Sequence, residues 1–147
     1  MLIEYLHLPA QTEPPSSPIE RPFASVVIIE MDVTDEWRDK ISHWLVKNGC
    51  LYMMAWGNEC SLWDDSVDWA ILGEFDFGDV PGENYVVTTW HNDELLEEVF
   101  WFSHHCARHE YLDMRRFLLL DISLNSRKTT IIKQFISSYH LHDTQPE

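Results

Sequence analysis

Four short runs of the chain are apolar almost without a break: residues 23–30 (FASVVIIE), 50–55 (CLYMMA), 85–89 (YVVTT) and 117–122 (FLLLDI). Continuous runs of this length, as opposed to alternating ones, mark strands buried on both faces, the habit of parallel sheets. Helical patterns lie between them. Trp37, Ile41, Trp44 and Leu45 recur at i, i+4, i+7 and i+8, which turns one apolar face toward a sheet. Thr34 is placed to cap that helix, with Asp35 and Glu36 favouring the dipole in its first turn, and Asn48-Gly49 to end it. A short helix is expected over residues 64–72, stopped by Gly73, with a turn-rich loop over residues 74–84. Asn92 is expected to cap a helix reaching Ala107, with Asp93 and Glu94 in its first turn. Ser126 is expected to cap a last helix in which Ile131, Phe135 and Tyr139 repeat at i, i+4 and i+8.

The sum is a β-α alternation repeated four times. It predicts an α/β three-layer sandwich, Rossmann-like or flavodoxin-like, with a mainly parallel four-stranded sheet. Counting those four strands from the first, the expected order is 2-1-3-4. Residues 1–22 read as an N-terminal segment, able to add an edge strand, followed by a Pro-rich linker laid over the surface (Pro9, Pro14, Pro15, Pro18, Pro22). Residues 23–140 read as one domain and 141–147 as a frayed tail.

Charge changes the picture. The chain holds 25 Asp and Glu against 10 Lys and Arg, a net charge of −15, and between Asn48 and Ala107 there is no Lys or Arg at all. A field of one sign repels nucleic-acid phosphate and acidic membranes and attracts cations or basic protein surfaces. No apolar run approaches the roughly 20 residues of a membrane span. Three cysteines without a CxxC pair fit a reducing cytoplasm.

In open parallel sheets, ligands bind outside the carboxyl ends of the strands, near the switch in strand order. The loops expected there carry Glu30, Asp32 and Thr34, then Trp56, Cys60, Trp63, Asp64 and Asp65, then Trp90, His91 and Asp93; Asp121 and Ser123 end the fourth strand. Three chemistries compete for this edge. The first is a binding surface for a basic protein, formed by Glu30, Asp32, Trp56, Trp63, Asp64, Asp65, Trp90 and His91, with indoles as anchors and acids as charge partners. The bland alternative makes those indoles core caps beneath the loops. The second is a divalent-metal site from the hard oxygens of Glu30, Asp32, Asp64, Asp65 and Asp93, although such acids also serve helix N-termini. The third is a thiol hydrolase with Cys60 as nucleophile, His91 as base, and Asp93 or Glu30 orienting it. Acidic surroundings disfavour that thiolate.

His105 and His109 stand at i, i+4, a spacing that chelates metals but also suits a helix C-terminus. No GxGxxG, P-loop, HExxH or GxSxG occurs. The apolar belt around Trp101 exceeds what one core needs and suggests a homodimer through that helix.

The runs LYMMAWGNECSLWDDSVD, YVVTTWHND and EVFWFSHHCA resemble a family of small uncharacterised bacterial proteins, over residues 23–123. That resemblance implies no activity, cofactor or site. The expectation is therefore a cytoplasmic, non-enzymatic interaction module, inhibitor- or immunity-like, that grips a basic partner and needs no cofactor. A metal-dependent or Cys/His hydrolase using the same cleft is the alternative.

Overall fold

A computed structural model describes residues 1–110 and 116–143. Among them run strand β1 (Leu2–His7), strand β2 (Phe23–Ile29), helix α1 (Asp35–Lys47), strand β3 (Cys50–Gly57) and helix α2 (Cys60–Glu74). Strand β4 (Val87–His91), helix α3 (Leu96–His105), strand β5 (Arg116–Ile122) and helix α4 (Lys128–Ser137) complete the order, with short 3-10 turns at Gly82–Asn84 and Ser138–His140.

The five strands form one sheet in the order β1-β5-β2-β3-β4, every neighbouring pair parallel. The edge strand allowed for at the N-terminus is β1, which pairs with β5 from Leu2 opposite Arg116 to His7 opposite Asp121. The expected order 2-1-3-4 is corrected: counted over the same four strands, it is 4-1-2-3. The reason is burial. All seven residues of β2 are buried, as are Phe117 to Ile122 of β5, so these two strands take the interior. In β4, Thr88 and Thr89 are half-buried and Trp90 is exposed, which an edge tolerates.

The steps β2-α1-β3-α2-β4 run one way across the sheet, so α1 and α2 share a face. The return from β4 to β5 puts α3 on the other face, beside α4. Trp37, Ile41 and Leu45 of α1 pack with Trp63, Val67 and Ile71 of α2 over Val27, Met53 and Leu120. Val99 and Phe100 of α3 and Ile131 and Phe135 of α4 cover Val26, Met54 and Leu119 on the opposite side. Each strand therefore serves two apolar layers, which is why its sequence does not alternate.

Local chemistry sets the joints. The Thr34 hydroxyl accepts from the Trp37 amide at 3.2 Å, as capping requires. Gly57 sits at φ +107° against β2, where a Cβ would lie 2.1 Å from the Ile29 carbonyl oxygen; only glycine lets α2 start there. Helix α2 begins at Cys60, four residues before the expected start, while α3 and α4 begin at Leu96 and Lys128, after Asn92 and Ser126. The Pro-rich segment crosses α1, and the Trp37 and Trp44 indoles donate to the carbonyls of Thr12 (2.8 Å) and Pro15 (2.7 Å). Residues 141–143 of the expected tail dock on α3 through His142 and Glu98 (2.7 Å); residues 144–147 lie outside the described residues.

Candidate functional site

With the observed order, the switch in strand order falls between β2 and β5, which are parallel neighbours whose following loops leave for opposite faces. There Asp121 is fully buried at the end of β5. Arg127, just ahead of α4, donates from Nη2 at 2.7 Å and Nε at 3.2 Å to its carboxylate, and also pairs with Glu30 at 2.9 Å. The Tyr5 hydroxyl of β1 donates to Asp121 at 2.5 Å and accepts from the Arg127 amide at 2.9 Å. His7 donates a ring N–H to the Ser123 carbonyl at 2.8 Å. Burial pushes the Asp121 carboxyl up, but hydrogen bonds from Arg127, Tyr5 and Ser123 outweigh it and hold it below the usual carboxylate range. Burial, then Asp121, pushes the Tyr5 phenol up. The crevice where this topology would seat a ligand is thus filled by the chain's own charges, mutually satisfied. Glu30 is spent there, away from Asp64 and Asp65.

The second concentration of polar groups lies between α2 and the edge strand β4. Asp64 and Asp68 stand one turn apart on α2, with Asp65 beside them, and carboxylate oxygens of all three lie within 4.8 Å of one another. The Thr88 hydroxyl of β4 donates to Asp64 and lies 3.3 Å from Asp68. Partial burial, then the charge of Asp64, pushes the Asp68 carboxyl up. Trp69 follows one turn after Asp65, 65% exposed, and meets the equally exposed Phe77 edge-to-face at 5.9 Å. Trp90, 47% exposed, emerges from the same face of β4 as Thr88.

The structure brings together Asp64, Asp65 and Trp90 from the expected binding set and sends the rest elsewhere. Asp32 is exposed on the loop after β2. Trp56 is half-buried on the α3 side and donates its N–H to the Glu94 carbonyl at 2.7 Å. Trp63 is wholly buried, edge-on to Trp37 at 6.5 Å; it is a core residue and touches no surface. Cys60, the first residue of α2, is buried in the same core. His91 points to the other face, edge-on to Phe102 at 5.0 Å, with its nitrogens facing Thr89 (2.9 Å) and Glu94 (3.2 Å). The acid beside His91 is Glu94; Asp93 is an exposed left-handed turn residue at φ +61°. The thiol and the imidazole therefore lie on opposite faces of the sheet.

His105 and His109 do not converge: the first donates to the Tyr139 carbonyl (2.8 Å), the second to the Tyr85 carbonyl (2.6 Å). In the belt around Trp101, His105 and His142 each lie 5.0 Å from the indole, and Trp101 and Phe102 are half-buried. Asp68 and Trp69, absent from the expected site, had a sequence signal. Once α2 starts at Cys60, its apolar stripe is Cys60, Trp63, Val67 and Ile71, and Trp69 falls off it.

Among the described residues no helix is long and apolar enough to cross a membrane. Over residues 3–138 the chain matches the family described as Domain of unknown function (DUF7684). No curated protein and no solved structure matches it.

Proposed function

The chain belongs to that family, whose description names no activity, so from the geometry alone we propose a protein-binding module whose α2–β4 edge grips a basic partner. One observation carries this reading. Exposed Trp69, braced by exposed Phe77, follows Asp65 by one turn of α2, and exposed Trp90 shares a face of β4 with Thr88, whose hydroxyl meets Asp64 and Asp68; all lie inside a span, residues 48–107, without lysine or arginine. Large aromatics left in water cost burial they could have had, and aromatic anchors rimmed by charge are the composition of interface centres. The field of the edge selects the sign of the partner and speeds encounter. Stoichiometric capture of a basic protein is the chemistry of an inhibitor or immunity factor. All three cysteines are free thiols, Cys106 exposed among them, which supports a cytoplasmic setting.

The test is capture from an extract of the source cell, followed by titration with the purified partner. Asp65→Lys with Asp68→Lys should abolish binding, while Glu4→Lys with Glu110→Lys, an equal change of net charge elsewhere, should leave it intact. Equal loss in both pairs, or equal retention, rejects the edge as the site.

A second reading, a metal-dependent hydrolase, is favoured by the Asp64, Asp65 and Asp68 oxygens alone, which suit a hard cation that keeps part of its water. Calorimetric titration of EDTA-treated protein with magnesium, manganese and zinc decides it. Micromolar binding that disappears in Asp68→Asn supports it; no heat from any of the three rejects it.

A further inference from the structure

We propose that the groove between α1 and α2 is an arginine pocket, the anchor by which the acidic edge holds its partner. The inference rests on the protein-binding reading above and names the partner's chemistry. The groove is open, about 390 Å³, and lined by Asp39 and His43 of α1 and by Ser66, Trp69, Ala70 and Gly73 of α2. That volume lies within the roughly 300–1,000 Å³ of small-ligand sites.

Helical spacing builds it. Asp39 and His43 are one turn apart, and Ser66, Ala70 and Gly73 follow at i, i+4 and i+7 along the facing helix. Two straps hold the walls, Ser66 Oγ donating to Asp39 at 2.7 Å and His43 meeting Glu74 at 2.5 Å. Small side chains make the floor, and a Cβ on Gly73 would meet nothing within 4 Å, so the trough is empty there. Trp69 forms one wall and is braced by Phe77.

Each part answers to a guanidinium group. Its plane stacks on an indole face, and its fork bonds a carboxylate bidentately, neither of which an ammonium does as well. Asp39 supplies the carboxylate. It accepts one bond, from Ser66, and among the described residues no lysine or arginine pairs with it, since Lys40 goes to Glu13 and Arg38 to Asp35. Ala70 and Gly73 leave room for the apolar stem. An acidic or neutral side chain would meet the unpaired Asp39 and gain nothing from Trp69. The occupant is therefore an arginine side chain on an exposed segment of the partner protein.

Acetyl-arginine amide, with acetyl-lysine amide at equal ionic strength, is the probe, read by amide chemical shifts. Arginine should give saturable shifts confined to residues 39–43 and 66–73, and lysine should bind about threefold to tenfold more weakly. Gly73→Leu fills the trough at a helical position with free space and should keep the fold while abolishing the shifts; Trp69→Ala should abolish them by removing the stacking face. Shifts that spread over all acidic residues, that are equal for lysine, or that survive Gly73→Leu overturn the pocket, as does the absence of saturable shifts at about 10 mM, the weak end of single-side-chain binding. Those outcomes differ from failure of the edge. If Asp65→Lys with Asp68→Lys destroys partner capture while Gly73→Leu leaves it intact, the edge stands and the pocket falls.

Discussion

Arg127→Met tests whether the crevice at the strand switch is a clamp. The change removes the cation bonded at 2.7 and 3.2 Å to Asp121 and at 2.9 Å to Glu30, while keeping an unbranched stem over the sheet edge. Asp121 is fully buried, so its carboxylate would lose its counter-charge in place. Removing one partner of a buried pair costs about 3–5 kcal/mol. The Arg127 side chain is 31% exposed, which lets water reach the vacated site and places the expected loss at the low end, about 3 kcal/mol. Against a typical total of about 5–15 kcal/mol, that lowers Tm by about 6–12 °C. The pH dependence has a definite sign. In the native protein the Asp121 carboxyl is held below its unfolded value of about 3.9, so its contribution is present above pH 4 and is lost as pH falls through the folded value. In the variant, burial without Arg127 raises that carboxyl, so its ionised form costs stability at pH 7 and protonation relieves the cost. The gap between the two proteins should be widest at pH 7 and narrow toward pH 3. Urea unfolding followed by circular dichroism at pH 7, 4 and 3 measures it. A loss under about 1 kcal/mol at pH 7, where a buried pair should show about 3, would refute the clamp, as would a gap that does not change with pH.

The two tryptophans of α2 should behave oppositely. Trp63→Ala empties a buried site and should cost about 3–5 kcal/mol in urea unfolding, whereas Trp69→Ala should change stability by less than about 0.5 kcal/mol. A cheap Trp63→Ala would mean that the α1–α2 layer is not packed as described. Asp68, raised by burial and by Asp64, should titrate above the ordinary aspartate range in carboxyl NMR; a raised folded value means that stability grows as pH falls through it. Asp68→Asn should remove that rise and stabilise the protein slightly at pH 7; a fall in stability would show that Asp68 is held by attraction and not by repulsion.

The division of labour between sequence and tertiary structure is visible in particular residues. The strands of the core were legible because burial on both faces removes alternation, so FASVVIIE and FLLLDI announce themselves within eight residues. The α1 boundaries were legible because Thr34 and Asn48-Gly49 act on neighbouring backbone groups. Periodicity reaches no further than an element, however, and strand order is set between elements. The pairing of β1 with β5 joins residues 114 apart, and the Tyr5–Asp121 bond residues 116 apart; no local pattern carries either. The same limit governed the site. The acidic span was fixed by composition, but whether Trp63 or Trp69 meets water depends on where α2 begins, and Gly57 packed against Ile29 decides that. Glu30 looked like one more member of an acidic edge until Arg127, arriving from the far end of the chain, took it. Sequence alone determined which segments must be buried and what sign the surface carries, because those follow from the residues themselves. Which side chains share a site was decided only by the fold, because proximity between distant residues is a property of packing.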